Sequence, residues 1–446
     1  MSLIQRWWFT LGILSCGTSC QPEAAPEGDE VAGMRTDESA ECRGQLLGPD
    51  EFFQFGTDTQ DRAVAVSVDS SGAIYFAGTT RGDIGEPGEQ GGNQDAFVAK
   101  LNGSLQFQWV HQVGSTGDDL AWDVTTSGAG DTYVVGLTPG ALPGQTSRGQ
   151  SDFFAVKYST WGTRDWVLQG GSPEEDYGQS IALAPNNRLS IAGSTMADPN
   201  MGFDAVVYEV DAATGGVVED FTFGSSNGGG ERGEGVAVAG DGRTWVVGST
   251  LGNLGGASAG STDSFIREFD SSLNEAWTFR RGTADIDAAL EVVSAGSNGT
   301  YVLALSFSDL REGNVENDGI PNAFLMRFNT QRELRWVRRI GDRSFTTNAT
   351  GLTVDANGNA YVAGWTNGAL PNAQHHGGMD AFVVRFDKAG VMNRAWQWGT
   401  AADDDARDVV LVGSNTAVAV GATAGDLGAP NQGSQDVFVV KFATNQ

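Results

Sequence analysis

Hydrophobic and polar positions along this chain form a repeating pattern, and each copy of it predicts four short β-strands. The copy from Gly351 to Gly399 is the clearest. In it, an alternating segment ends at Val354, an Asp-Ala-Asn-Gly turn follows, and a second apolar segment runs from Ala360 to Gly364. After a glycine-rich loop come a third apolar segment, Ala381 to Phe386, and a fourth segment that carries aromatic residues. Short apolar runs bounded by turn residues predict strands.

Two separate landmarks count the copies, and both give seven. An acidic or amide residue opens the third predicted strand of each copy, at intervals of 52 to 59 residues: Asp95, Asp152, Asp204, Asp263, Asn322, Asp380 and Asp436. A hydroxyl residue closes the second strand of each copy: Thr80, Thr138, Thr195, Thr250, Ser306, Thr366 and Thr423. One such unit cannot bury both of its faces alone, so the copies must stack on one another. The pattern predicts an all-β fold, a seven-bladed β-propeller of four-stranded blades.

The two ends of the repeat region complement each other. The last copy stops at residues 442–446 without a fourth strand, whereas Phe52 to Phe55, before the first copy, resembles the aromatic fourth strands. We predict that this N-terminal strand completes the last blade, because closure removes an open sheet edge. The propeller domain is therefore expected to span residues 51–446.

The repeated units resemble the SBBP β-propeller repeats of secreted and surface bacterial proteins, from about Phe52 to Phe442. The motifs that carry the resemblance are D-A-F-V-x-K/R-F, as at Asp380–Phe386, and G-x-T, as at Gly78–Thr80. The third copy departs through a short loop, and the fifth through Ala304 and Asn322. The resemblance implies a propeller and an exported location. It carries over no catalytic residue, since these repeats share no common activity.

Residues 1–20 have the features of a signal peptide. Arg6 precedes a short apolar segment, Trp7 to Leu14, and small residues follow. The segment around Cys16 resembles a bacterial lipobox, so Cys16 is the predicted lipidated residue and Cys20 the alternative. Ordinary cleavage and release is the other interpretation. The expected location is the outer membrane or cell surface as a lipoprotein, otherwise the periplasm or the medium.

Residues 21–50 are rich in Pro, Ala, Gly and carboxylates, which predicts a solvated, disordered tether. Cys42 lies there, and a pairing with Cys20 is left open. The formal net charge of the whole chain is −29, which disfavours nucleic acid and leaves a lipid as the means of membrane attachment. The expected partner is an unknown protein or glycan at the cell surface, and the expected state is a monomer.

Two series of acidic residues are candidate site residues. The third-strand series, Asp95, Asp152, Asp204, Asp263, Asp380 and Asp436, is predicted to fix the long loop, by bonds such as Thr80 to Asp95 and Thr366 to Asp380 or by capping loop amides. A second series stands five residues before the core of the first strand, with Thr347 as the exception: Asp61, Asp119, Asp176, Glu231, Asp287 and Asp405. It predicts an acidic, loop-rich end of the ring. Either these carboxylates bind loop amides or they bind Ca²⁺; we expect the former, because no copy shows a recognisable series of calcium ligands.

Catalytic chemistry has few candidates. The repeats contain His111, His375 and His376 and no Cys, and they lack nucleophile-elbow, zinc-protease and paired-cysteine motifs. No cofactor and no metal are predicted. Arginines concentrate on two fourth strands, where they either dock an anionic partner or block edge-to-edge aggregation: Arg280, Arg281, Arg335, Arg338, Arg339 and Arg343. We expect a binding or scaffold module. The alternatives are a polysaccharide-active hydrolase or lyase that uses the acidic end, and a non-binding spacer.

Overall fold

The computed structural model of the chain describes residues 50–85, 91–196, 202–225, 228–311 and 320–445. Within these ranges the regular structure is 28 β-strands and one short 3-10 helix, Gly296–Asn298. The predicted signal peptide with Cys16 and Cys20, and the predicted tether up to residue 49, lie outside the described residues. Among the helices that the structure describes, none is long and apolar enough to cross a membrane.

Each repeat contributes strands that we number from first to fourth along the chain. The first strands are β2 (Asp61–Val68), β6 (Leu120–Thr126), β10 (Asp176–Leu183), β14 (Glu231–Val238), β18 (Asp287–Ser294), β22 (Thr347–Val354) and β26 (Asp404–Val412). The second strands are β3 (Ile74–Thr80), β7 (Thr132–Thr138), β11 (Arg188–Thr195), β15 (Thr244–Thr250), β19 (Thr300–Ser306), β23 (Ala360–Thr366) and β27 (Thr416–Thr423). The third strands are β4 (Asp95–Leu101), β8 (Asp152–Tyr158), β12 (Asp204–Asp211), β16 (Asp263–Phe269), β20 (Asn322–Phe328), β24 (Asp380–Phe386) and β28 (Asp436–Ala443). The fourth strands are β5 (Phe107–Val113), β9 (Arg164–Gly170), β13 (Val217–Phe223), β17 (Glu275–Arg281), β21 (Leu334–Arg339) and β25 (Met392–Trp398); β1 (Glu51–Phe55) precedes the first repeat.

Successive strands of a repeat pair antiparallel, so each repeat folds into its own sheet. The sheets of the fifth and sixth repeats are joined by one parallel pair, Asn322 with Thr347. In the seventh repeat, β1 pairs antiparallel with β28, from Glu51 opposite Lys441 to Phe55 opposite Val437. The prediction of an all-β fold built from four-stranded antiparallel sheets is confirmed.

Every first strand carries a bulge at the same place. The register against the second strand shifts by one residue, for example between Ala63 and Ala65 in β2 and between Ala406 and Asp408 in β26. A bulge bends the strand and re-aims the side chains beside it. The residue that follows the bulge therefore occupies an equivalent position in all seven repeats.

The core lies between neighbouring sheets. Second strands such as Ile74–Thr80 are buried along their whole length, which explains why their residues are almost continuously apolar. Aromatic side chains connect one repeat to the next: the ring centroids of Phe153 and Tyr208 are 4.2 Å apart, and those of Trp109 and Tyr158 are 6.1 Å apart. Burying one such ring contributes about 1.5–3 kcal/mol, so the contacts between sheets stabilise the stack.

The short turns between strands have side-chain supports. In the sixth repeat, the Asp355 carboxylate accepts hydrogen bonds from the backbone amides of Asn357, at 2.9 Å, and Asn359, at 2.8 Å. Gly358 lies between these two residues with φ +84°, a conformation that favours glycine. This turn holds β22 and β23 in register.

Candidate functional site

An acidic side chain at the start of the first strand holds the loop that precedes it. In the first repeat, the Thr57 amide donates to Asp61 Oδ2 at 2.6 Å and the Thr57 hydroxyl donates to the same oxygen at 2.8 Å. The hydroxyl of Thr80, which closes the second strand, donates to Asp61 Oδ1. Asp61 is fully buried. Its carboxylate is therefore occupied by the chain itself.

The same hydrogen bonding between the acid and the preceding loop recurs in five further repeats. A Ser or Thr that follows a glycine donates its backbone amide to the acid at the start of the first strand. The pairs are Ser115 with Asp119, Ser172 with Asp176, Ser225 with Glu231, Thr283 with Asp287 and Thr400 with Asp404. In five of these six repeats the spacing is G-S/T-x-x-x-D, a motif that our reading of the sequence missed although it is visible there.

The acidic residue of the seventh repeat was wrongly assigned. Asp404, not Asp405, pairs with Thr423 and accepts the Thr400 amide at 2.6 Å. Counting back five residues from Val410 misplaced the position, because Val409 is the buried counterpart of Val66. Asp405 instead binds Arg407 in its own strand, with Arg62 of β2 at 3.8 Å.

The acid that opens the third strand holds the other end of the long loop. Asp380 Oδ2 accepts the His376 amide at 2.9 Å, and Asp95 Oδ2 accepts the Gly91 amide at 3.0 Å. The equivalent bonds run from Arg148 to Asp152, from Ala259 to Asp263 and from Gln432 to Asp436. Asp204 opens β12, half-buried, in the repeat with the short loop. Loop-amide capping is thus the observed arrangement in five repeats.

The predicted bonds from Thr80 to Asp95 and from Thr366 to Asp380 are not the ones that form. The Thr80 hydroxyl donates to Asp61 instead, and the Thr366 hydroxyl donates to the carbonyls of Thr346 and Gly368, each at 3.3 Å. Thr80 lies opposite Asp61 in the first strand and opposite Asp95 in the third strand, and its hydroxyl bonds Asp61.

A glutamine on the fourth strand completes the loop support, and our reading of the sequence missed it. Gln397 donates to Asp380 Oδ2 at 2.8 Å and to the Gly368 carbonyl at 3.1 Å, and its own oxygen accepts the Leu370 amide at 3.0 Å. The equivalent residues Gln54, Gln112 and Gln169 make the corresponding bonds in three other repeats. Arg280 takes this place in the fourth repeat, where its guanidinium binds Asp263. A glutamine two residues before the strand-ending glycine was the available signal.

The two acidic series meet where one repeat joins the next. The amide of Asp119 donates at 2.7 Å to the carbonyl of Gln94, which immediately precedes Asp95. The same bond joins Asp61 to Gln435, Asp176 to Ser151, Glu231 to Phe203, Asp287 to Thr262 and Asp404 to Met379. We call each resulting pair of acids, one from each series, a junction pair.

A glycine lies against both acids of a junction pair. A Cβ added to Gly171 would stand 2.7 Å from Asp176 Oδ2 and 3.0 Å from Asp152 Oδ1. Separations this short are not compatible with a side chain, so only glycine allows the two carboxyls to approach from both sides. Gly56 has the same relation to Asp436 and Asp61.

Burial raises the pKa of several of these carboxyls. The pKa values of Asp119, Asp287 and Asp404 rise to about 6, in each case chiefly through loss of solvent, with the partner acid of the junction pair adding to the rise. The pKa values of Asp61, Asp95 and Asp436 are raised for the same main reason. The predicted acidic end is therefore a set of buried carboxyls that fix loops.

A second acidic group lies beside the bulges of three first strands. Asp123, Glu291 and Asp408 each follow a bulge. Asp123 accepts the Ile181 amide of the neighbouring first strand at 2.8 Å, and Asp408 accepts the Val66 amide at 2.8 Å. Asp123 and Asp408 therefore each link two repeats.

When they are ionised, these three carboxylates repel one another. Burial and then the charges of Asp123 and Asp408 raise the pKa of Glu291 well above its usual range. Burial is also the main cause that raises the pKa of Asp408 to about 8 and that of Asp123 to about 6. Our reading of the sequence missed this group, since the three residues stand far apart along the chain.

The other candidate residues are engaged in local contacts. His111 stacks on Tyr158 with centroids 5.1 Å apart, and His376 Nδ1 lies 3.4 Å from Asp380. Arg281 donates to the Leu310 carbonyl, and Arg338 donates to the Gly390 carbonyl at 2.7 Å. In the part of the chain that the structure describes, no group of three or more His, Cys, Asp or Glu residues is arranged to hold a metal ion.

Part of the chain is similar in sequence to a known bacterial protein. A regulatory protein, FlaEY, of Caulobacter vibrioides is 36% identical over 253 residues, which are 56% of this chain and 21% of FlaEY. The chain thus spans about a fifth of the length of that relative.

Among solved structures, BamB from Moraxella catarrhalis is similar with a TM-score of 0.43 and 13% identity, over 88% of this chain and 98% of BamB. The β-propeller domain of the Trilobed protease from Pyrococcus furiosus is similar with a TM-score of 0.45 and 7% identity, over 86% of this chain and 94% of that domain. Residues 335–371 match the family model of the SBBP β-propeller repeat. In that segment the chain is similar to the SBBP β-propeller repeat family.

Proposed function

We propose that this protein is an exported, seven-bladed propeller that serves as a binding or scaffold module at the cell envelope. Seven first strands and the pairing of β1 with β28 support a closed ring. Contacts between the first and last repeats support it further: the Asp61 amide donates to the Gln435 carbonyl at 2.9 Å, and the Val66 amide donates to Asp408. The N-terminal strand would complete the seventh blade.

One observation carries the assignment as a binding module. The acids in the loop-bearing end are occupied in holding loops at both of their ends, as the Asp380 and Gln397 bonds show for the loop from residue 367 to 379. Such loops present exposed polar side chains on a rigid support, here Asn372, Gln374 and His375. Loops held by a rigid scaffold are where binding residues concentrate. The partner that fits is a protein or a glycan at the cell surface.

The enzyme hypothesis is weaker on the same ground. A glycosidase needs two carboxylates that reach its substrate. Asp61, Asp95, Asp119 and Asp380 are at most 1% exposed, and loop amides occupy them. A polysaccharide-active enzyme and a passive spacer remain the alternatives that an assay must separate.

A glycan array combined with a hydrolysis assay on the same preparation tests the proposal. We expect binding without turnover, and we expect it to fall at least tenfold in a variant with Asn372→Ala, Gln374→Ala and His375→Ala. The matched control is Trp161→Ala, because Trp161 is 86% exposed on a short turn between third and fourth strands, at the opposite end of its blade. Turnover would favour the enzyme, and the absence of any ligand among glycans and envelope proteins would favour the spacer.

The envelope location has its own test. Cys16→Ser should abolish acylation and shift the protein from the membrane fraction to the soluble fraction. Cys20→Ser is the control and should leave the protein membrane-bound. Mass spectrometry of the mature N-terminus decides between them, and an unacylated N-terminus beyond Cys20 would mean simple secretion.

A further inference from the structure

The third-strand acid of a junction pair has an oxygen without a donor. Asp95, Asp152, Asp263, Asp380 and Asp436 are at most 1% exposed, and in each of them Oδ1 has no hydrogen-bond partner among the described residues. In all five repeats this oxygen is the one that lies against the junction glycine: Gly114, Gly171, Gly282, Gly399 and Gly56 respectively. A buried carboxylate oxygen without a donor costs free energy unless a proton or a cation reaches it.

The junction between the fifth and sixth repeats shows what replaces the acids. There the third strand opens with Asn322 and the first strand with Thr347, so both acids are absent together. Either acid alone would keep its own loop bonds, so a purely local role predicts independent replacement. Joint replacement by two neutral residues indicates that the acids act as a pair.

The pair of Asp95 and Asp119 is the simplest case. The Gly91 amide and Gln112 occupy Asp95 Oδ2, and the Ser115 amide and hydroxyl occupy Asp119 Oδ2. The Thr138 hydroxyl lies beside Asp119. The further charge that acts on the pair is Asp118, which is exposed and acidic. The charged neighbours of this pair therefore add repulsion.

In other junction pairs, basic side chains lie near the acids and weaken the repulsion between them. Arg280 neutralises Asp263, and Arg281 faces Asp287. His376 lies beside Asp380. Asp426 adds a further negative charge at Asp436. The acids between the first and second repeats and between the seventh and first have raised pKa values and none of these basic neighbours, so these two junctions should respond most to pH.

We propose that junction pairs take up one shared proton in mildly acidic solution, so that the propeller is held together more tightly near pH 5 than near pH 8. The proton comes from solvent and binds the unpartnered Oδ1 of the third-strand acid, which converts two carboxylates into a neutral carboxyl beside one carboxylate. The raised pKa values of Asp95 and Asp119 in the folded state support this direction of the pH dependence of stability. A group that binds its proton more tightly when folded stabilises the fold at low pH, and this stabilisation is lost as pH rises through its folded pKa.

The test replaces the two acids of one junction pair with the neutral residues found between the fifth and sixth repeats. The variant Asp95→Asn with Asp119→Thr copies Asn322 and Thr347, and Glu219→Gln, an exposed residue of the third repeat, is the control. Between pH 5 and pH 8 the unfolding equilibrium constant of the unmodified protein should rise, and in the double variant the rise should be about tenfold smaller, since one proton contributes about tenfold per pH unit. The control should keep the profile of the unmodified protein.

A second variant and a spectroscopic measurement test the same proposal if the first variant fails to fold. Asp436→Asn with Asp61→Thr makes the same replacement at the junction between the seventh and first repeats. Infrared difference spectra of the unmodified protein between pH 8 and pH 5 should also show a protonated carboxyl that either variant lacks. An unchanged pH profile in both variants would overturn the proposal. So would a saturable stabilisation at pH 8 by CaCl₂ over NaCl of matched ionic strength that either variant abolishes, because a cation would then occupy the pair.

Discussion

Individual polar residues in this molecule act mainly on the backbone. Gln397 satisfies a carboxylate, a loop carbonyl and a loop amide, and Asp404 accepts hydrogen bonds from the Thr400 amide and from the Thr423 hydroxyl of another segment. A buried group that satisfies several backbone partners is expensive to remove, because each partner then stays unpaired. These residues are therefore expected to determine stability and loop order.

Replacing the fourth-strand glutamine tests this directly. Gln397→Ala should lower the free energy of unfolding by about 2–4 kcal/mol, since three hydrogen bonds are lost and Asp380 keeps a buried charge with fewer donors. Hydrogen exchange in residues 367–379 should rise in the same variant. Gln374→Ala, in the exposed part of that loop, should change stability by less than about 0.5 kcal/mol. Equal effects of the two changes would show that Gln397 does not hold the loop.

The carboxyls beside the bulges should oppose folding at neutral pH. The pKa of Glu291 is raised well above its usual range, and that of Asp408 is raised to about 8. A raised acid pKa means that stability falls as pH increases, here between the ordinary aspartate pKa of 3.8 and about 8. Glu291→Gln keeps the bond from the Val292 amide and removes one of the mutually repelling charges.

We therefore expect Glu291→Gln to stabilise the protein at pH 8 by roughly 1–3 kcal/mol and to flatten the fall in stability between pH 6 and pH 8. Chemical unfolding at four pH values measures both effects. The exposed Glu219→Gln is the control and should leave the profile unchanged. A loss of stability in Glu291→Gln at pH 8 would mean that the carboxylate has a favourable partner.

At the scale of elements, the sequence predicted the strands. It predicted only part of the hydrogen bonding between them. Apolar runs between turn residues located the strands, because burial on both faces leaves a pattern readable without alignment. The junction pairs depend on which residues face each other between sheets, which no local pattern in a single repeat reveals. Gln397 was overlooked because the strand-ending glycine and its aromatic neighbours dominated the pattern of the fourth strand.

The error at Asp405 has a physical cause at the same scale. Asp403, Asp404 and Asp405 are consecutive, so composition alone cannot choose between them. The choice depends on the bulge in β26, which sets Asp404 opposite Thr423. The G-S/T-x-x-x-D motif that five repeats share selects Asp404, since Thr400 stands four residues before it.

At the scale of the whole molecule, we propose a ring of seven blades that the N-terminal strand closes, with acids that fix loops and join neighbouring sheets. The pairing of β1 with β28 is the element on which closure depends, and an ion pair marks its register: Lys441 Nζ lies 3.3 Å from Glu51. Lys100 occupies the equivalent third-strand position in the first repeat, opposite Trp109 of its own fourth strand. The two lysines therefore offer a matched pair of test positions.

An engineered disulfide tests closure most directly. In a background with Cys16, Cys20 and Cys42 replaced by serine, Glu51→Cys with Lys441→Cys should form a disulfide on mild oxidation, because these residues are directly opposed in the strand pairing. Closing so long a loop should stabilise the fold, by up to about 5 kcal/mol in the entropic model. Peptide mass spectrometry and the melting temperature read out both effects. A closed ring should give a disulfide between residues 51 and 441 and none for Glu51→Cys with Lys100→Cys. A folded protein in which residues 51 and 441 do not join, or join no better than 51 and 100, would contradict the closed ring.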